Sequence, residues 1–351
     1  MTGTLSDRNR GTEALRVAGV TKAYTRGSSW LSRLGSSGPS TLKALDGVDL
    51  ELRRGEVLAL VGESGSGKST LAKILVGSVT PTTGEVLVGD GVQRGRRDKE
   101  STRRVQMVFQ DPYSSLNPRL SVGRMLSELL LLHKIVPRRE VHAECVRLLN
   151  LVGLEEEVLS AYPSQFSGGQ RQRLAIARAL AVRPDVLIAD EPVSALDVSV
   201  QATILDLFAS LRAELGLSVL FIAHNLAVVQ HLADRVAVMY LGRIVEVADT
   251  AEIFRHPRHP YTRALIDSIP RMSATSVNDP FEVEGEPPSP YDVPPGCRFH
   301  PRCALAGDIC RQNDPPLLVV GPAQGAPHLS ACLKADELAH IPLPDATEEH
   351  A

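Results

Sequence analysis

Short apolar runs alternate with stretches of helical spacing along most of this chain, and the two periods together predict a layered α/β core. Alternation over Leu15–Tyr24 predicts a strand, and Leu42–Leu52 and Glu56–Val61 read as two more. A glycine-rich turn, 62–67, leads into a predicted helix at Lys68–Val76, and further strands are expected at Gly84–Val88 and Val105–Phe109. The pattern changes over 121–160. Leu126, Leu129, Leu130 and His133 share one helical face, as do Val141, Cys145, Leu148, Leu149 and Val152, so this region reads as a mostly helical insert. Helices are then expected at Gly168–Val182, Val200–Leu215 and Leu226–Ala233. Between them, Val186–Ala189 and Ser218–Ala223 are continuous apolar runs, the mark of strands buried on both faces. Val236–Tyr240 and Arg243–Val247 read as a hairpin around Leu241-Gly242. Strands alternating with helices imply a mainly parallel sheet, with an antiparallel β part beside it.

Other segments lack such order. Residues 1–13 read as disordered, and Gly27–Ser40 as a loop that carries Trp30, Leu31 and Leu34. Beyond Tyr261–Ile269 the periodicity fades; Pro280–Pro295 reads as a linker, and the region after it holds too few apolar residues to fold without a staple.

Composition narrows the function. The 351 residues are 43% apolar but only 4% aromatic, so a sizeable core must be packed with aliphatic side chains. A formal charge of −3 does not suit a general nucleic-acid binder. No run of about 20 apolar residues is present, and the polar N-terminus lacks a signal-peptide core. The expectation is a cytosolic protein held at a membrane, if at all, by other chains.

The strongest chemical signal is Gly62-Glu63-Ser64-Gly65-Ser66-Gly67-Lys68-Ser69, which fits G-x-x-x-x-G-K-[ST] between a strand and a helix. Glycines let backbone N–H groups converge on phosphate oxygens, and Thr70 follows in the first helical turn. Lys68 is the expected cation for the terminal phosphates and Ser69 a Mg²⁺ ligand. Asp185–Glu191 is an apolar strand ending in two carboxylates; Asp190 is expected to hold Mg²⁺ and Glu191 to deprotonate a water. Paired acids after a strand are often only a solvated turn, but after a phosphate loop that reading weakens. Ser167-Gly168-Gly169-Gln170 opens a helix. Ser167 suits an N-cap, whereas two glycines in a first turn make sense if a ligand must approach the backbone.

In order and spacing, the phosphate loop, Gln110, the Ser-Gly-Gly-Gln run, the Asp-Glu strand, Ser194-Ala195-Leu196-Asp197 and His224 resemble ABC-transporter ATPases over about 14–270. The resemblance implies an ATPase domain at 14–270 with a helical subdomain at about 111–166. It also implies that Tyr24 stacks on adenine, that Gln110 senses Mg²⁺ and the water and couples to a membrane subunit, that Asp197 works across a dimer, and that His224 touches the γ-phosphate. Closer still, Gln110–Arg119, His259-Pro260-Tyr261-Thr262-Arg263 and Gly296–Cys303 are similar to the dipeptide and oligopeptide importers. Phe166 replaces the leucine of the general pattern. The importer resemblance implies a second, unlike ATPase subunit, two permeases, an extracytoplasmic binding protein, no nucleic acid, and a place on the cytoplasmic face of the membrane. Related importers also carry nickel, glutathione or oligosaccharides. A soluble cassette acting on nucleic acid or the ribosome is the other reading, but the coiled coils, tandem cassettes or basic arms usual there are missing.

Four of the five cysteines, Cys297, Cys303, Cys310 and Cys332, fall in the extension expected at 271–345, which contains no motif residue. In a reducing cytosol such a cluster reads as metal ligation before disulfides. Their C-x5-C-x6-C-x21-C spacing lacks the tight pair usual for structural zinc. The resemblance implies a [4Fe–4S] cluster, with zinc and then free thiols as alternatives. Cys145 stands alone on an apolar helix face and reads as core.

Overall fold

A computed structural model of the chain describes residues 13–25, 41–89, 91–93, 99–111, 115–269, 285–321 and 326–341. The Trp30 loop, Pro112–Ser114 and the start of the Pro-rich segment lie outside them. The strands are β1 (Glu13–Thr25), β2 (Thr41–Arg53), β3 (Val57–Val61), β4 (Thr83–Val88), β5 (Gly91–Gln93) and β6 (Val105–Val108). They continue with β7 (Val186–Asp190), β8 (Ser218–Ala223), β9 (Arg235–Tyr240), β10 (Arg243–Asp249), β11 (Leu318–Val319) and β12 (Leu329–Ser330).

Two sheets result. β2-β1-β4-β5 form an antiparallel sheet of four, and β11-β12-β10-β9-β3-β8-β7-β6 a sheet of eight, in which β9, β3, β8, β7 and β6 run parallel. Every residue of β3, β7, β8 and β9 is buried, as their continuous apolar sequences require. Side chains alternate across a strand, so Val57, Ala59 and Val61 enter the core shared with the helical half, while Leu58 and Leu60 enter the core beneath the antiparallel sheet. The helix Lys68–Leu75 belongs to the second core through Leu71, Ala72, Ile74 and Leu75.

The helical insert forms as the spacing predicts. Helices Val122–Leu132 and Val141–Leu151 bury Leu126, Leu130, Cys145, Leu148 and Leu149. Ser121 caps the first, its Oγ accepting from the Arg124 N–H at 3.4 Å. Cys145 is 1% exposed, a core residue. The helix expected to reach Ala233 stops at Val229. There the N–H groups of Leu232 and Ala233 turn back onto the Val229 carbonyl, and the Asp234 carboxylate accepts from the Val57 N–H at 2.8 Å, which starts β9 beside β3.

The C-terminal region departs from the sequence reading. It is joined to the core by strand pairing, which the sequence reading did not anticipate: β12 pairs with β10, Glu246 opposite Ser330 and Val247 opposite Leu329, and β11 extends the sheet further. Glu246, fully buried, accepts from the Arg258 N–H at 2.6 Å and the His259 N–H at 3.0 Å and lies 2.7 Å from His328 Nε2. Phe299 enters the main core against Tyr240 and Tyr261. Two-residue strands and one aromatic leave little periodicity to read, which is why the sequence pattern missed this attachment. Among the described residues no helix is long and apolar enough to cross a membrane.

Candidate active site

The phosphate-loop segment follows β3 and enters the helix Lys68–Leu75, and its geometry demands glycine. Gly62 has φ 155°, and a Cβ there would meet the Met239 carbonyl oxygen at 2.2 Å; Gly67 has φ 113°, and its Cβ would meet the Ala44 oxygen at 2.6 Å. Lys68 turns back into the loop it follows, its Nζ donating to the carbonyls of Gly62 at 2.6 Å and Glu63 at 2.9 Å. It is 5% exposed. Burial lowers its pKa, while the Glu191, Asp190 and Glu63 carboxylates work in the opposite direction.

The C-terminal end of β7 brings Asp190 and Glu191 to this loop, and that of β8 brings His224. Ser69 Oγ donates to Asp190 Oδ1 at 3.4 Å, and burial pushes the Asp190 pKa up. A hydroxyl beside a buried carboxylate in need of a counter-charge is a donor set that fits a divalent cation. Glu191 takes a left-handed backbone, φ 47°, with its N–H on the Ile222 carbonyl at 3.0 Å. Gln110 Nε2 donates to Glu191 Oε2 at 2.9 Å, and His224 Nδ1 lies 3.6 Å from the same oxygen. One cavity is lined by Tyr24, Ser64, Gly65, Gly67, Lys68, Ser69, Thr70, Gln110, Glu191 and His224.

Other predicted residues lie elsewhere. Ser167 and Gln170 form a capping box, Ser167 Oγ accepting from the Gln170 N–H at 3.3 Å and Gln170 Oε1 from the Ser167 N–H at 3.1 Å. Both are exposed, and with Gly168, Gly169 and Asp197 they are absent from the cavity lining. Gly169 has a packing reason as well, since a Cβ there would meet Val200 Cγ1 at 2.6 Å.

Several contacts were missed. Ser194 Oγ donates to the Glu191 carbonyl at 3.0 Å and lies 3.4 Å from Gln110 Nε2. Motif residues stay within the core, yet the C-terminal region reaches the site: Pro290 lines the cavity, and Arg302 holds Glu63 with nitrogen–oxygen distances of 2.9 and 3.2 Å. Tyr261 and Arg302 stand in the His-Pro-Tyr-Thr-Arg and Gly296–Cys303 runs, so the signal was present without a role attached.

The four C-terminal cysteines line one small cavity, with His259, His300 and Lys334 among its other walls. All are free thiols. Burial pushes the pKa of Cys303 up to about 11 and of Cys332 up to about 12, with the neighbouring thiols adding to it. Among the described residues, no three His, Cys, Asp or Glu side chains stand as one metal ion needs.

Fold and site together define an ATP-binding-cassette ATPase, and comparison with known proteins agrees. The ABC transporter family model matches residues 45–194, and the model for the oligopeptide/dipeptide transporter C-terminal region matches 245–310. The chain is 46% identical to the probable peptide ABC transporter ATP-binding protein y4tS of Sinorhizobium fredii, over 95% of this chain and 96% of that protein. It is 49% identical to the dipeptide transport ATP-binding protein DppF of Haemophilus influenzae, over 80% and 86%, and 47% identical to that of Escherichia coli, over 84% and 88%. Among solved structures, the cassette MJ0796 in a dimeric post-hydrolysis state with ADP and Pi superposes with a TM-score of 0.56 at 30% identity, covering 67% of this chain and 98% of that one. CbiO1 of Clostridium perfringens gives 0.58 at 28% identity, covering 69% and 91%. The chain belongs to the ATP-binding subunits of the oligopeptide/dipeptide ABC transporters.

Proposed function

We propose that this chain hydrolyses MgATP to drive uptake of dipeptides or oligopeptides through membrane permeases. The observation that carries this reading is the convergence of Lys68, Ser69 and the Gln110–Glu191–His224 group on one cavity beside a phosphate loop, with Asp190 bonded to Ser69 behind it. In this reading Tyr24 stacks on the base, and the N–H groups of residues 62–70 and the Lys68 ammonium bind the phosphates. Ser69, Asp190 and Gln110 would hold Mg²⁺, and the ion, when bound, would neutralise charge on the phosphate oxygens. Glu191 takes a proton from the attacking water, oriented by the Gln110 amide, while His224 turns to the γ-phosphate.

The signature helix serves the partner's nucleotide. Ser167, Gly168, Gly169 and Gln170 do not line this chain's own cavity, which is in keeping with a head-to-tail pair, and Asp197 lies beside Val198, an apolar residue 82% exposed. An exposed valine beside the site suits a face covered by a second ATPase, here an unlike one, and the dimeric state of MJ0796 is in keeping with such pairing. Two permeases, fed by an extracytoplasmic binding protein, hold the pair on the cytoplasmic face. The working units are an ATPase domain at 14–270, with its helical subdomain at about 111–166, and the extension 271–345.

For the cysteines the favoured occupant is a [4Fe–4S] cluster. Support comes from four thiols that line one cavity, Cys310 buried and the other three partly so, a number that matches the four thiolate ligands of such a cluster. Zinc is the alternative occupant, since four thiolates also suit a tetrahedral zinc. The function is tested by assembling the chain with the neighbouring ATPase and permeases in vesicles. Peptide uptake that requires MgATP supports the reading; uptake independent of MgATP contradicts it.

A further inference from the structure

Arg302 lies beyond the last core helix, between Phe299 and Cys303, yet its side chain is only 8% exposed and its guanidinium grips both carboxylate oxygens of Glu63, Nη1 to Oε2 at 2.9 Å and Nη2 to Oε1 at 3.2 Å. Glu63 is the second residue of the phosphate loop. Each of its polar groups is held: the N–H by Tyr261 Oη at 2.8 Å, the carbonyl by Lys68 Nζ at 2.9 Å, the carboxylate by Arg302. Two of these holders share one support, since Phe299 packs on Tyr261 with ring centroids 5.4 Å apart and on Tyr240 at 5.3 Å, and Arg302 Nη1 lies 3.5 Å from Tyr240 Oη.

We infer that Arg302 is a positioning residue for the phosphate loop: it fixes and neutralises Glu63, so that the loop accepts phosphate and releases Lys68 to it. This rests on the reading of the adjoining cavity as the MgATP site. A carboxylate in a loop built for anions is otherwise a liability, because it repels phosphate and competes for the same ammonium. The bidentate fork cancels that charge and fixes its direction, which a point charge does not. The C-terminal region thereby becomes part of the nucleotide site, with Pro290 on the cavity wall as a second contact.

The test measures MgATP affinity, KM, kcat and melting temperature of the full chain as wild type, Lys68→Ala, Arg302→Lys, Arg302→Gln and Arg302→Gln with Glu63→Gln. Arg302→Gln should weaken MgATP about tenfold, within the usual range for coupling between contacting groups, with kcat at saturation changed less than about threefold. Arg302→Lys should fall between it and wild type. Adding Glu63→Gln to Arg302→Gln should recover most of the lost affinity, because the uncompensated carboxylate is gone. A mere staple would lower the melting temperature, leave KM unchanged and show no recovery; that result overturns the inference. Should Arg302→Gln not fold, Arg302→Lys decides, and wild-type affinity in it counts against the role. If wild type and Lys68→Ala bind MgATP alike, the nucleotide reading itself has failed instead.

Discussion

Gln110 donates its side-chain amide to Glu191 across 2.9 Å, and the contact follows from strand register. β6 and β7 are parallel neighbours whose last registered pair is Val108 with Ala189, so two residues further on Gln110 and Glu191 leave the sheet side by side. Gln110 also precedes, along the chain, the helical insert that contains the helix Val122–Leu132.

The composite site makes a counting prediction. In an assembly of two unlike ATPase subunits, Lys68→Ala in this chain alone should remove one of two bound nucleotides, because Lys68 serves its own cavity and Ser167 and Gly169 serve the partner's. Nucleotide counting in the purified mixed assembly checks it. Loss of both, or of neither, contradicts the head-to-tail arrangement.

Acid should loosen the helical subdomain through Glu144. Its carboxylate receives Arg147 at 2.9 and 2.8 Å and Arg183 at 3.0 Å, and the hydrogen bond from Arg147 leads in holding its pKa below the ordinary 4.5. With the folded pKa below the unfolded one, the unfolded chain takes up the proton first. The stabilisation is thus complete above the ordinary value and lost as pH falls through the folded one. Glu144→Gln should melt a few degrees lower at neutral pH, and the gap should close in acid. Melting curves from pH 7 to pH 3 are the measurement; a gap that is constant with pH refutes the assignment.

The cysteine cavity predicts a coloured protein. Anaerobically purified chain should contain about four irons with matching sulfide, and Cys297→Ser or Cys310→Ser should bleach it. Protease should then open the region around 296–312, whereas the β12–β10 pairing keeps the end of the chain attached. One zinc per chain would replace the cluster with the alternative, and metal-free protein would remove both.

Much of this was legible because the signals are local. Two buried strands, Val186–Ala189 and Ser218–Ala223, announce themselves as apolar runs, and the phosphate loop, Asp190-Glu191 and Ser167–Gln170 are contiguous motifs at strand or helix ends. What escaped depends on distance along the chain. Arg302 and Glu63 are 239 residues apart, and neither residue type at that spacing carries a signal. β11 and β12 are too short for a period of two to show. Phe299 was visible only as part of a family run, not as a core residue, because a single aromatic between polar neighbours has no pattern.

In the proposed function Glu191 is the general base, separate from the groups that bind the nucleotide. The most direct test compares MgATP binding and turnover of Glu191→Gln with wild type in the assembled transporter. The account predicts unchanged binding, a turnover lower by about 10²–10⁴, and an ATP-bound closed dimer that accumulates. Hydrolysis within a few-fold of wild type would contradict it.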